Sequence, residues 1–221
     1  MTRHRSAPAV GLALGLLVAG CTNPFQPARP QFPSATAVRE NFTDPDSLLN
    51  TMGLALVARS GGQNAYSDAL ADSTSATTAD FYAFYDPTVA DAWKATSHRD
   101  PTNPWNARLE GLLFSWLVTL RNPDWVYAMQ WAPDPTSPSD QRDDAAGTAF
   151  YHRHYVLTAT QPGQDASILA VGYADLTFIR VSPGHWALRL WQDRLDPQFG
   201  VNPTLTDEVS MSRRRLDMPS Q

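Results

Sequence analysis

The stretch AFYHRHYVLTATQPGQDASILAVGYADLTFIRVSPGHWALRLWQDRL, residues 149–195, decides the fold. Its segments are rich in β-branched and aromatic residues, and Pro162-Gly163 and Pro183-Gly184 between them are typical of hairpin turns. The predicted strands are 149–160, 167–181 and 186–195. Because strands joined by short turns pair side by side in opposite directions, this part of the chain predicts a curved antiparallel sheet.

The residues before this stretch predict helices that cover one face of the sheet. Asp44 and Pro45 match a helix cap and a first turn, and Gly61-Gly62 ends that helix. The other predicted elements are helices over 63–70 and 106–120, strands over 80–85 and 125–131, an irregular segment over 88–105 and a polar loop over 134–146. Two to three N-terminal helices followed by antiparallel strands indicate an α+β fold.

The N-terminal residues predict an export signal. Arg3 and Arg5 precede an apolar segment, 9–19, which is shorter than the roughly 20 residues that a membrane span needs. The sequence up to Gly20-Cys21 resembles a bacterial lipoprotein signal. That resemblance implies cleavage between Gly20 and Cys21 and a lipid on the Cys21 thiol. An ordinary secretory signal followed by an incidental free cysteine is the alternative.

The predicted organisation of the chain follows from this signal. The segments are a signal peptide (1–20), a Pro-rich linker starting at the lipidated cysteine (21–43), a folded domain (44–196) and a C-terminal arm (197–221). A lipid on Cys21 would place the protein at a bacterial cell membrane, with the domain in the periplasm or outside the cell. Thr22 stands where enterobacterial lipoproteins retained in the inner membrane carry Asp, which favours the outer membrane in a Gram-negative cell.

Charge and cysteine content exclude several classes of function. The net charge of −5 gives no general attraction to nucleic acid or to anionic lipid headgroups. The basic triplet Arg213-Arg214-Arg215 is expected to be a solvated end of the domain. With Cys21 as its only cysteine, the chain cannot form an internal disulfide, so the fold must depend on packing.

Several motifs resemble the cone-shaped fold of nuclear transport factor, ketosteroid isomerase and scytalone dehydratase, and more narrowly uncharacterised bacterial lipoproteins of that superfamily. The first helix starts at Pro45, and DFYAFYDP at 80–87 is an aromatic strand stopped by Asp-Pro. The remaining matching residues are Leu48, Leu49, Tyr66, Leu70, Trp186, Leu188, Trp191 and Asp193. The resemblance implies a cystatin-like cone with a cavity between helices and sheet, but one fold hosts many functions.

The predicted registers divide the sheet into two faces. With two-residue turns, Tyr151, Arg153 and Tyr155 lie opposite Ala174, Gly172 and Ala170, and Ala174 lies beside Asp193. One face carries Tyr151, Arg153, Tyr155, Leu157, Leu176, Phe178, Trp191 and Asp193. The other carries His152, His154, Tyr173, Asp175, Thr177, Trp186 and Leu188. Arg153 and Asp193 become diagonal neighbours, which predicts either a charged grip on a ligand or a structural ion pair.

The pocket candidates are therefore Tyr151, Arg153, Tyr155, Trp191 and Asp193, and no catalytic residue is assigned. The leading hypothesis is a non-catalytic, membrane-tethered envelope domain that binds a partner protein or a small apolar ligand in or near the cone. A small lyase or isomerase with Asp193 or Asp175 as base is the alternative, and a homodimer formed through the outer sheet face is a third. No cofactor is expected, and His152 and His154 lack a third ligand for a metal.

Overall fold

In the computed structural model, which describes residues 38–72, 79–87, 89, 105–196 and 210–218, three helices precede the main strands. The helices are α1 (Pro45–Ala58), α2 (Gln63–Asp68), α3 (Ala107–Ser115) and α4 (Met211–Asp217), with a 3₁₀ turn (Arg59–Gly62) after α1 and a π-helical turn (Trp116–Arg121) after α3. The strands are β1 (Tyr82–Phe84), β2 (Trp105–Asn106), β3 (Val126–Pro133), β4 (Gln141–Asp143), β5 (Thr148–Thr160), β6 (Ala166–Ser182) and β7 (His185–Leu195).

The strands form one sheet in the order β2-β1-β7-β6-β5-β3, with β4 paired to β5. The predicted α+β architecture is confirmed, but the sheet is mixed rather than antiparallel because β1 pairs parallel to β7. The polar loop predicted over 134–146 contains the short strand β4. Most of the irregular segment 88–105 lies outside the described residues.

Helix α1 forms and packs for local reasons. The Asp44 carboxylate accepts a hydrogen bond from the backbone N–H of Ser47 at 2.9 Å and from its hydroxyl at 2.7 Å, which caps the helix as predicted. At Gly53 the helix crosses the edge strand β3 so closely that a Cβ there would lie 2.9 Å from the carbonyl oxygen of Met129. One face of α1, with Leu48, Leu49, Met52, Ala55 and Leu56, is thereby buried.

The register between β5 and β6 differs from the predicted one by two residues. Tyr155 lies opposite Gly172, whereas two-residue turns predicted Ala170. One residue of the difference comes from the turn, because the first pair after it is Thr160 with Ala166. The other comes from an irregularity at Leu169 between two paired positions. The predicted pairs between β6 and β7, Ala174 with Asp193 among them, are confirmed.

The assignment of Trp186 and Leu188 to the outer face is wrong. The register of β7 shifts at Arg189, so Leu188 lies opposite Phe178 and shares its inward face. Both Trp186 and Leu188 are buried in the hydrophobic core.

The N-terminal predictions lie outside the described residues. These are the signal peptide with Gly20 and Cys21, and the linker before Val38. Among the described residues, no helix is both long enough and apolar enough to span a bilayer.

Candidate functional site

Helix α4 lies in the interior of the fold, against the sheet. The prediction that residues after Asp196 form a trailing arm with at most a short strand is therefore wrong for this helix. The expectation that the basic triplet is solvated is wrong for Arg214 and Arg215, whereas the Arg213 side chain is 44% exposed. Met211, Ser212 and Arg215 are each 1% exposed or less, and Arg214 is 8% exposed. Arg214 donates from Nε to the carbonyl oxygen of Leu169 at 2.7 Å, which ties the helix to β6.

Arg215 forms a fully buried ion pair with Glu110 of α3. Its Nε lies 2.9 Å from Oε2 and its Nη2 lies 3.1 Å from Oε1, an arrangement with two parallel hydrogen bonds. The Tyr66 hydroxyl donates to the same Oε1 at 3.1 Å. Burial acts to lower the pKa of Arg215, but the charge and hydrogen bonds of Glu110 raise it above the ordinary value. Arg215 is therefore cationic, and its guanidinium lies against the Glu110 carboxyl group inside the core.

Asp193 of β7 is fully buried and holds α4 at its first turn. One carboxylate oxygen accepts from the Tyr155 hydroxyl at 2.6 Å, and the other accepts from the backbone N–H and the hydroxyl of Ser212, both at 2.6 Å. The Met211 N–H in turn donates to the Tyr155 hydroxyl oxygen at 2.9 Å. Burial raises the pKa of Asp193, and the nearby Arg215 charge and these hydrogen bonds offset only part of that rise.

Aromatic rings form the floor under Arg215. Its guanidinium lies 4.7 Å from the centroid of the Trp191 ring, within range of a cation–π interaction. The Trp191 ring makes edge contacts with Trp131 at 5.2 Å and with Tyr155 at 5.6 Å. Burial and the neighbouring Asp193 charge raise the pKa of Tyr155 well above its usual value, so the phenol stays a hydrogen-bond donor.

Among the described residues, an interior cavity of about 10 Å³ lies between the helices and the sheet. That volume admits at most about one water molecule and no organic ligand. Its lining residues are Leu56, Tyr66, Leu113, Phe114, Leu117, Met129, Leu157 and Met211. The interior of the cone is thus filled, in part by the chain's own C-terminal helix.

The predicted ion pair between Arg153 and Asp193 does not form, although both residues lie on the inward face. The Arg153 guanidinium instead contacts Asp46 at 2.9 Å and Asp140 at 2.8 Å, and its Nη1 also donates to the His152 carbonyl. Two segments that the strand registers left out supply these carboxylates: the start of α1 and the loop before β4. Tyr151 stacks under the same guanidinium at 4.3 Å.

A groove of about 540 Å³ lies between α1 and β3, beside Arg153. It combines apolar and aromatic surface with polar groups, as small-molecule sites do. Its lining residues are Asp46, Leu49, Asn50, Met129, Gln130, Trp131, Pro133 and Arg153. A second cleft of about 580 Å³ lies between α2 and α3, and its polar lining residues include Gln63, Ser67, Asp72, Asp80, Asn106, Arg108 and Ser115.

On the outer face, the candidate base Asp175 is engaged by two neighbours. His152 Nδ1 lies 2.7 Å from its Oδ1, and Arg194 donates to the same oxygen at 2.8 Å. His154 Nε2 lies 3.3 Å from Asp196 instead. In the part of the chain that the structure describes, no three His, Cys, Asp or Glu side chains are grouped to hold a metal ion.

The residues that sequence reasoning missed are Glu110, Tyr66, Ser212 and Arg215. One signal was available for the first of them. Glu110, Leu113 and Leu117 follow at i, i+3 and i+7 and are all buried, so Glu110 stands in the apolar stripe of its helix. A carboxylate in such a stripe requires a buried cation, and the basic triplet near the C-terminus offered one.

Comparisons with known proteins identify no family for this chain. No protein-family model matches it, and no curated protein matches it in sequence. A solved structure of a protein of unknown function from Mycobacterium tuberculosis is 10% identical, covering 77% of this chain and 83% of that one, with a TM-score of 0.46. A protein from Kribbella flavida is 11% identical, covering 67% and 86%, with a TM-score of 0.41.

Ring-hydroxylating enzymes are also among the structural neighbours. A naphthalene 1,2-dioxygenase solved with indole in its active site is 9% identical, covering 69% of this chain and 77% of that one, with a TM-score of 0.42. The β subunit of a putative aromatic-ring-hydroxylating dioxygenase from Novosphingobium aromaticivorans is 14% identical, covering 68% and 86%, with a TM-score of 0.39. At these identities and TM-scores, none of the four assigns an activity to this chain.

Proposed function

We propose that this chain is a bacterial envelope lipoprotein, anchored through a lipid on Cys21, whose domain is non-catalytic and binds a small apolar ligand or apolar side chains of a partner protein. The groove between α1 and β3 is the proposed binding site. The observation that carries this proposal is the contrast between two spaces. The cavity inside the cone has a volume of about 10 Å³, whereas the groove beside it is open and has a volume of about 540 Å³.

The state of the buried carboxylates supports a non-catalytic role. Both oxygens of Asp193 accept hydrogen bonds from Tyr155 or Ser212, and both oxygens of Glu110 are engaged by Arg215. A general base must lie within reach of a substrate proton. Asp193 and Glu110 are both 0% exposed, so neither can reach one while α4 is in place.

The groove has the composition of a site for an apolar ligand. Leu49, Met129 and Trp131 provide apolar and aromatic surface, and Asn50 and Gln130 add polar groups that could orient a ligand. Arg153 adds little net charge to the groove because Asp46 and Asp140 pair with it.

The alternative function, a small lyase or isomerase, is favoured by one property of Asp193. Its pKa is raised, as it is for many catalytic carboxylates. That activity would require α4 to leave the interior so that a substrate could reach the carboxylate. The alternative would be established if the native chain turned over a substrate and Asp193→Asn abolished this turnover with the fold intact.

A neutral fluorescent probe, N-phenyl-1-naphthylamine, tests the groove. We expect saturable enhancement of its emission with the native chain, and loss of that enhancement in Asn50→Phe, which fills the groove from α1. Leu54→Phe is the matched control, because Leu54 lies one helical turn further along α1, is 46% exposed and does not line the groove. Equal enhancement in both variants, or none in the native chain, would refute the proposed site.

Fatty-acid labelling in a Gram-negative host tests the anchor. The full chain should incorporate an alkyne-tagged fatty acid and fractionate with the outer membrane, while Cys21→Ser should do neither. Thr22→Asp should keep the label and move to the inner membrane of an enterobacterial host. Labelling that survives Cys21→Ser would rule out this anchor.

Sedimentation equilibrium of a chain without the signal peptide tests the possible homodimer. A homodimer through the outer sheet face predicts dimers whose fraction rises with protein concentration. A monomer at every concentration would exclude it, without bearing on the groove.

A further inference from the structure

We propose that the cone interior is a guanidinium-binding site, which α4 occupies in this chain with its own Arg215. The ligand class that follows is an alkylguanidinium group, free or carried on an arginine-bearing peptide. This inference is independent of the groove and of the lipid anchor.

The geometry around Arg215 is that of guanidinium recognition. Glu110 binds Nε and Nη2 with two parallel hydrogen bonds of 2.9 and 3.1 Å, and the Trp191 ring lies 4.7 Å from the guanidinium carbon. A planar fork held by a carboxylate over an aromatic face suits arginine better than lysine, whose ammonium is compact and more strongly hydrated. The site therefore selects for shape as well as charge.

The charges show which part of the site is the ligand. Helices α2 and α3 and the strands contribute Glu110, Asp193 and the hydroxyls of Tyr66 and Tyr155. Among the described residues, the cation that contacts Glu110 is Arg215 of α4. Without α4, Glu110 and Asp193 would lose this counter-charge and the groups of Ser212 that cover Asp193, and such carboxylates take up protons or a cation.

With Arg215 bound in the site, two buried hydrogen-bond donors remain unpaired. Arg215 Nη1 and Trp191 Nε1 are buried donors without a hydrogen-bond partner among the described residues. Both side chains are at most 1% exposed. The unpaired Nη1 lowers the net stabilisation that Arg215 of α4 contributes, because an unmade bond costs free energy. The Trp191 donor stays unpaired with any guanidinium ligand, since a guanidinium has no acceptor. Helix α4 is also only seven residues long and is held mainly through its side chains and first turn.

The site is tested by adding ethylguanidinium to the full chain with Arg215→Ala and measuring its refolding. We expect the variant to refold poorly from urea, and ethylguanidinium to restore refolding and raise the thermal midpoint by about 3–6 °C at ten times its Kd. Ethylammonium should be much less effective. Arg213→Ala is the matched control: it removes a 44% exposed arginine from the same helix and should show no response.

A second variant and a peptide separate the outcomes. Arg215→Ala combined with Glu110→Gln should lose the response to ethylguanidinium. A peptide with the sequence of residues 210–218 distinguishes the sources: rescue by the peptide assigns the site to helical segments, and rescue by ethylguanidinium alone assigns it to small ligands. The proposal is overturned if ethylguanidinium acts no better than ethylammonium, fails to restore refolding, or stabilises the Glu110→Gln combination equally.

Discussion

Asp193→Asn removes the charge that fixes the start of α4, and its cost can be worked out from the contacts. The carboxylate accepts three hydrogen bonds, from Tyr155 and twice from Ser212, all at 2.6 Å. The side-chain oxygen of asparagine can keep the hydrogen bonds made to one of the two carboxylate oxygens. Its NH₂ group then takes the place of the other oxygen and faces a hydrogen-bond donor. Loss of one charge-assisted bond costs about 1.5–3 kcal/mol, and release from burying a charge offsets part of it. We expect a net loss of about 1–3 kcal/mol at neutral pH.

The pH dependence of this difference has a defined sign. Burial raises the pKa of Asp193 in the folded state, so between about pH 4 and that raised pKa the folded chain holds a proton that the unfolded chain has released. The stability of the native chain at this site therefore falls as the pH rises through that window. Asp193→Asn has no such titration, so its deficit should be largest near pH 4 and should shrink toward neutral pH.

Urea denaturation at a series of pH values measures this deficit. Asp46→Asn is the control, because Asp46 is a 67% exposed carboxylate whose partner Arg153 also contacts Asp140. Because Asp46 is exposed and Asp140 still pairs with Arg153 in the variant, we expect a loss of less than about 1 kcal/mol. An Asp193→Asn variant as stable as the native chain, or a deficit that grows with rising pH, would refute the arrangement around Asp193.

Two further substitutions test local geometry. Gly172→Ala would place a Cβ 2.6 Å from the Tyr155 hydroxyl, so we expect urea denaturation to show a loss of about 1–3 kcal/mol or more. Gly163→Ala, at a φ of +78° in open space, should cost about 1 kcal/mol, and a smaller loss for Gly172→Ala than for this control would contradict the packing. Asp44→Ala should cost about 1 kcal/mol at neutral pH through the lost helix cap. Burial raises the pKa of Asp44, but hydrogen bonds from Ser47 and Thr43 and the Arg142 charge together lower it by more, so thermal melts should show this deficit disappearing as the pH falls below about 4.

The order of elements could be predicted from the sequence because the signals are local. Asp44 and Pro45 determine where α1 starts, and Pro162-Gly163 and Pro183-Gly184 separate the long strands. Period-two alternation was enough to place Tyr155 and Asp193 on the inward face. Each of these inferences needs only residues that are close together in the chain.

The arrangement of the site could not be predicted because its contacts span most of the chain. Arg153 pairs with Asp46, 107 residues earlier, and Arg215 pairs with Glu110, 105 residues earlier. Strand alternation gives the face of a residue but not which distant segment will lie above it. The strand registers shift by one residue at Leu169 and at Arg189, and these shifts could not be predicted either. Both residue types are common in regular strands.

The position of α4 after all the strands has a consequence for biosynthesis. The Ser212 hydroxyl accepts from the backbone N–H of Asp86, 126 residues earlier, so the interior cannot close before residues 210–218 have been synthesised. A product that stops before this segment lacks the Arg215 cation that pairs with Glu110, and its loosened interior is open to cleavage. Proteases can therefore remove products that lack α4 and spare chains that carry it.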